Sequence, residues 1–400
     1  MDTSPTPAGL RRCSYCFHEK PSADFSYEHI WPDALGGDHL PKPWQTDDVC
    51  VRCNSLSGQF VDGEFIKSWF GSQERATAGR EYLDPHAPAK GIHPLHYMGP
   101  LEHAELRNDE AAELWLGPCG AHIVHIRPRQ ESMWDAYAGG KPSRKRDDWG
   151  TALLSLTSAE PYWITASVVA FEKHFRRAVR IVTNMDAPEG STPPFTKIDQ
   201  QDEEQARKLR IGKSVGQAAK RNEAVPSQIL IRIDLGTRLL AKLALGLGRE
   251  LLGDAFLDTT YAGHLRTALW ERNFEARQNI PVRGSGYLAG LDAAPGLEFL
   301  CWPGGWVLTI WRMRSDLVLV VGTPSRKLMT VVISDQTDLF AGLGGRFDDG
   351  EVFVTIPALG RAISMPLPEF LAHQLGSIHH AELMTISAAR HDPALLPPCR

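Results

Sequence analysis

Two Cys-x-x-Cys pairs, Cys13/Cys16 and Cys50/Cys53, flank the run Glu28-His29-Ile30-Trp31-Pro32, and Asn54 follows the last cysteine directly. A tight turn bearing two thiolates aims both at one point, and two such turns enclose one tetrahedral zinc. Four sulfur ligands leave no open position, so a zinc held here is structural. Chemistry then falls to what the knuckles hold in place, an acid beside an imidazole, and imidazoles exchange protons near neutral pH. A redox role for the four cysteines is the competing reading, and a preparation without zinc would favour it.

Cys13-x-x-Cys16, Glu28-His29-Ile30-x-Pro32, Leu35-Gly36-Gly37, Val49-Cys50-x-x-Cys53-Asn54 and Gly58-x-x-Val61-Asp62 occur in this order within about seventy residues. Together they resemble the HNH endonucleases, ββα-metal enzymes, here in the version with a four-cysteine zinc. The resemblance implies phosphodiester hydrolysis, with an activated water and a cation beside the scissile phosphate. It implies His29 as general base, and Glu28 and Asn54 as ligands of a catalytic divalent ion. Oxygen donors with open positions favour Mg²⁺ or Mn²⁺ over a second zinc. The middle Asn of the family, which braces the loop carrying the His, has no counterpart between Glu28 and Cys53. Asp47 and Asp48 are the candidates to replace it, with Gln45 behind them. Asp62 is either a support for the ligands or part of a solvated helix face. Lys67 and Arg52 are possible phosphate contacts that surface placement explains equally well.

These residues need short elements around them. Glu28–Trp31 reads as a strand, Gly36-Gly37-Asp38 as a turn, and the apolar spacing from Asn54 to Phe70 as a helix ended by Gly71. Pro32 and the glycine pair supply the bend that sends neighbouring side chains to different tasks. The expected division is a nuclease module at 1–75, a Pro/Gly/His-rich linker at 76–99, and an α+β domain at 100–400 that could grip DNA, sense a ligand or form an oligomer. Within it, the leucines of 235–252 predict a buried helix, followed by a helix over 261–272. Alternation around 306–311, 317–321, 329–333 and 352–356 predicts a mostly antiparallel sheet. Residues 180–184 and 228–234 read as further strands. The charged stretch 189–224 reads as exposed and mobile.

At 42% hydrophobic and 23% charged residues the composition is that of an ordinary globular protein, with no apolar run of membrane-spanning length and no visible leader. Cys119, Cys301 and Cys399 are dispersed, which suits reduced thiols and a cytoplasmic setting. The net charge of −5 is unusual for a nucleic-acid partner. Two basic runs, Arg127 to Arg146 and Lys208 to Arg221, offset it locally. The expected function is a metal-dependent endonuclease acting on nucleic acid, DNA before RNA, of the kind found in phage defence or mobile elements. A homodimer or higher oligomer would supply the second core for a double-strand break. The alternative is a zinc-stabilised nucleic-acid-binding protein with a degenerate core.

Overall fold

The computed structural model describes residues 9–91, 93–129, 149–184, 202–221, 233–271, 273–285 and 297–399. The fold is α+β, and the chain packs as two compact units: residues 1–66 with 232–389, and residues 67–231 with 390–400. This packing does not follow the boundaries expected at 75 and 99. Residues 1–66 share their unit with residues 232–389, and 76–99 contain structured elements rather than a linker.

In the first unit, β1 (Leu10–Arg12) and β2 (Glu19–Pro21) form a hairpin with Cys13 and Cys16 in its turn. β3 (Phe25–His29) pairs with β4 (Gln45–Cys50), and α1 (Val51–Ser57) continues directly from β4. The β3–β4 register slips at Tyr27: Ser26 faces Val49, whereas Glu28 faces Thr46. The slip bends the strand next to the candidate residues, a place where sequence reading put the bend at Pro32. After α1 comes a π-helical turn, Gly58–Asp62, and then the helix Gly63–Lys67. The extra residue of such a turn re-aims the side chains that follow. A new helix, Trp69–Arg80, is capped by Ser68, whose Oγ accepts from the Gly71 N–H at 3.1 Å; Gly71 therefore lies inside a helix and does not end one.

The loop between β3 and β4 has too few residues to bury its own aromatic side chains, and it uses the C-terminal sheet. Trp31 lies edge-on to Trp306 at 5.3 Å, and Trp44 to Phe353 at 5.6 Å. Thr355 Oγ1 donates to the Gly36 carbonyl at 3.0 Å. Gly36 has φ 90°, and a Cβ there would collide with Thr355, so both backbone and space demand glycine. That sheet is antiparallel, with Trp306–Met313 at its centre. Asp316–Gly322 and Leu328–Ser334 lie to one side, Glu351–Ile356 and Arg361–Pro366 to the other. The helix Ile233–Leu252, here the central helix, buries Leu239, Leu240, Leu243, Leu245 and Leu247. A Cβ on its Gly246 would meet Ile30 Cγ1 at 2.8 Å, which sets how closely helix and loop approach.

The second unit is a five-stranded sheet in chain order, His96–Leu101, Glu110–Leu116, His122–Pro128, Thr151–Ser155 and Val179–Val182, the last pair parallel. The helix Pro161–His174 covers one face through Ala170 and Phe171, and Glu203–Lys220 covers the other through Ile211 and Val215. The latter helix occupies half of the stretch expected to be mobile; residues 185–201 lie outside the described residues, as do 228–232 of the strand expected at 228–234, and Ile233 is already helical. Cys119 and Cys399 form a disulfide, contrary to the expectation of free thiols, while Cys301 is free. No helix among the described residues is long and apolar enough to cross a membrane.

Candidate active site

The sulfurs of Cys13, Cys16, Cys50 and Cys53 all lie within 4.8 Å of one another. A tetrahedral zinc with Zn–S bonds of ~2.3 Å needs sulfurs roughly 3.8 Å apart, so the four donors fit such an ion. The Cys50 N–H donates to Cys13 Sγ at 3.3 Å and Lys20 Nζ to Cys50 Sγ at 3.0 Å. Contacts with Cys13 and Cys53 draw the Cys16 thiol far below its ordinary range. Asp48 supports this cluster and does not brace the histidine loop. Its carbonyl accepts from the Ser14 N–H at 2.8 Å, and its carboxylate meets Arg11 at 2.6 Å and Arg249 at 3.1 Å. The side chain that reaches the loop is Gln45, which faces His29 across the strand pair and donates from Nε2 to the Leu40 carbonyl at 2.7 Å.

Glu28 and His29 point to opposite sides of β3. His29 Nδ1 pairs with Asp33 Oδ1 four residues on, and its ring meets Tyr27 edge-on at 4.8 Å. The imidazole keeps 23% of its side-chain surface exposed. Nδ1 is thereby taken, and Nε2 has no hydrogen-bond partner among the described residues. Asn54 works beside it: Nδ2 donates to Ser26 Oγ at 3.0 Å and to the Tyr27 carbonyl at 2.8 Å, fastening the slipped register.

Glu28 is 5% exposed and faces inward. Tyr15 donates to its Oε1 at 3.3 Å, and Lys242 of the central helix places Nζ 2.8 Å from the same oxygen. The same ammonium lies 2.7 Å from Asp62 Oδ2 and donates to the His29 carbonyl at 3.3 Å. Burial alone would lower the Lys242 pKa, but Asp62 and Glu28 outweigh it and hold the ammonium charged. Burial pushes the Asp62 carboxyl up to about 6 against that attraction. Asp62 is therefore no solvated helix residue; the π-helical turn delivers it to Lys242. Glu28 is thus engaged by Tyr15 and Lys242, and Asn54 by Ser26 and the Tyr27 carbonyl. Sequence reasoning missed Asp33, whose spacing from His29 was a usable signal, and Tyr15 and Lys242, for which no local signal existed.

The HNH endonuclease family model matches residues 13–70. These residues form an HNH-type module. No curated protein and no solved structure matches the chain. The match supports a nuclease-like HNH character for this module in general.

Three cations of the two basic runs meet acids. Arg127 is buried and bonds Glu113 at 2.8 Å, Lys208 meets Glu204 at 3.1 Å, and Arg210 meets Glu105 at 2.9 Å. Residues 141–146 lie outside the described residues.

Proposed function

We propose that this chain is an endonuclease that hydrolyses phosphodiester bonds in nucleic acid, with DNA as the expected substrate and His29 as general base. The observation that carries the reading is the His29–Asp33 pair on the partly exposed side of the HNH module. Asp33 holds the Nδ1 side of the ring and stabilises the imidazolium that forms, leaving Nε2 to take a proton from water. The water oxygen then attacks phosphorus, and the bond to the leaving sugar oxygen breaks, that oxygen taking a proton from solvent. Asn54 fixes the backbone beneath the ring.

The zinc cluster supports the same reading as scaffold, because it joins the hairpin to the start of α1. A second reading, a zinc-stabilised nucleic-acid-binding protein without catalysis, is favoured by the Lys242–Glu28 contact, which leaves the expected metal ligand engaged. Plasmid cleavage in Mg²⁺ or Mn²⁺ separates them. Wild type is expected to cut, and His29→Ala to lose about 10²- to 10⁴-fold in rate. Equal cutting by both proteins removes His29 as base, and cutting by neither leaves the binding reading.

A further inference from the structure

A buried carboxylate at 5% exposure needs a counter-charge, and Glu28 has one that the protein itself provides. Lys242 is fully buried, with Nζ within 2.8 Å of Glu28 and 2.7 Å of Asp62. It belongs to a row of three cations on one face of the central helix, spaced i, i+4, i+11. Arg238 lies 3.6 Å from Glu64, and Arg249 lies 3.1 Å from Asp48. Every one of these acids is in residues 1–66, so the helix grips the HNH module by its carboxylates.

We infer that Lys242 is a built-in counter-ion standing where a divalent metal would have to bind Glu28, so that the residues present do not fit that ion at Glu28. The ammonium and a divalent ion cannot share one carboxylate oxygen and a neighbouring acid: each repels the other, and the site is too buried for water to screen them. A lysine serving packing alone would satisfy Glu28 equally well but would not change what metal the module takes up. The inference rests on the nuclease reading for its biological sense, yet metal uptake can be measured without cleavage.

The test is Mn²⁺ binding to the full zinc-loaded chain, followed by electron paramagnetic resonance. The unaltered protein is expected to show no Mn²⁺ binding that depends on Glu28. Lys242→Met and Lys242→Gln are expected to bind Mn²⁺ at least about tenfold more tightly, and Glu28→Gln in either background to remove the gain. Zinc content and melting temperature report whether each variant is folded. Glu28-dependent Mn²⁺ binding by the unaltered protein overturns the inference. So does the lack of any gain in a variant that keeps its zinc, and if both variants lose zinc the lysine is structural alone and the inference falls. A Lys242 variant that takes up Mn²⁺ but spares plasmid DNA keeps the inference and removes the nuclease reading. An unaltered protein that cuts in Mg²⁺ through Glu28 does the reverse.

Discussion

At the scale of single residues, the distinction that matters is between the two neighbours Glu28 and His29. Strand geometry sends them to opposite faces, and the slip at Tyr27 adds local twist without reuniting them. One side chain becomes a buried anion with a lysine partner, the other a partly exposed imidazole with a carboxylate partner. The Asp33 contact is a surface ion pair and adds less than about 1 kcal/mol to stability, so its value lies in orientation. Asp33→Asn is therefore expected to leave the melting temperature nearly unchanged while lowering kcat about 10- to 100-fold, with little change in KM. A fall in KM-dependent binding with kcat intact would instead make Asp33 a substrate contact. Among the residues named for the missing family Asn, Gln45 carries an amide that donates to the Leu40 carbonyl, which the carboxylates of Asp47 and Asp48 cannot do.

At the scale of elements, the central helix and the second unit's sheet show which features sequence patterns reveal. The strands around Trp306 and Val352 were legible because their alternation is local, and the leucines of 239–247 announced burial for the same reason. Lys242 was not legible. A lysine among leucines reads as the wet edge of a helix, and only the distant acids Glu28 and Asp62 make its burial tolerable. The helix Glu203–Lys220 was missed because its buried apolar contacts, Ile211 and Val215, are few among many charged residues, and ion pairs to Glu105 and Glu110 supplement them. In the second unit's sheet, Glu113 carries a pH consequence. Burial alone would raise its carboxyl, but His125 at 3.6 Å and the Arg127 guanidinium at 2.8 Å hold it at about 2, below its ordinary 4.5. At 3.6 Å the imidazole is beyond hydrogen-bonding reach, so Arg127 is the main partner. A depressed acid stabilises the fold above pH 4.5 and loses that contribution as pH falls toward 2. The loss is on the order of 3 kcal/mol. Glu113→Gln is expected to melt lower at pH 7 and to change less across that window; an unchanged pH slope in calorimetry would show that Glu113 is not the titrating group.

At the scale of the whole molecule, the HNH module is part of a unit that residues 232–389 complete. The knuckles and the EH motif were legible because their spacing is local. The partner of Trp31 and Trp44 was not, since nothing near either tryptophan points to Trp306 or Phe353. Zinc removal is therefore expected to act beyond the first seventy residues. Chelation should expose backbone amides of Trp306–Met313 to hydrogen exchange together with those of β3 and β4. Exchange confined to residues 10–60 would show instead that the C-terminal sheet stands without the module.

Unit membership also bears on how the chain is made. A ribosome finishes residues 67–231 between the two portions of one core, so the tryptophans of the N-terminal loop emerge long before the strands that cover them. The loop closed by that pairing is long, and the contact comes late. Until those strands are made, the greasy side chains of that loop lack the surfaces that cover them in the finished fold.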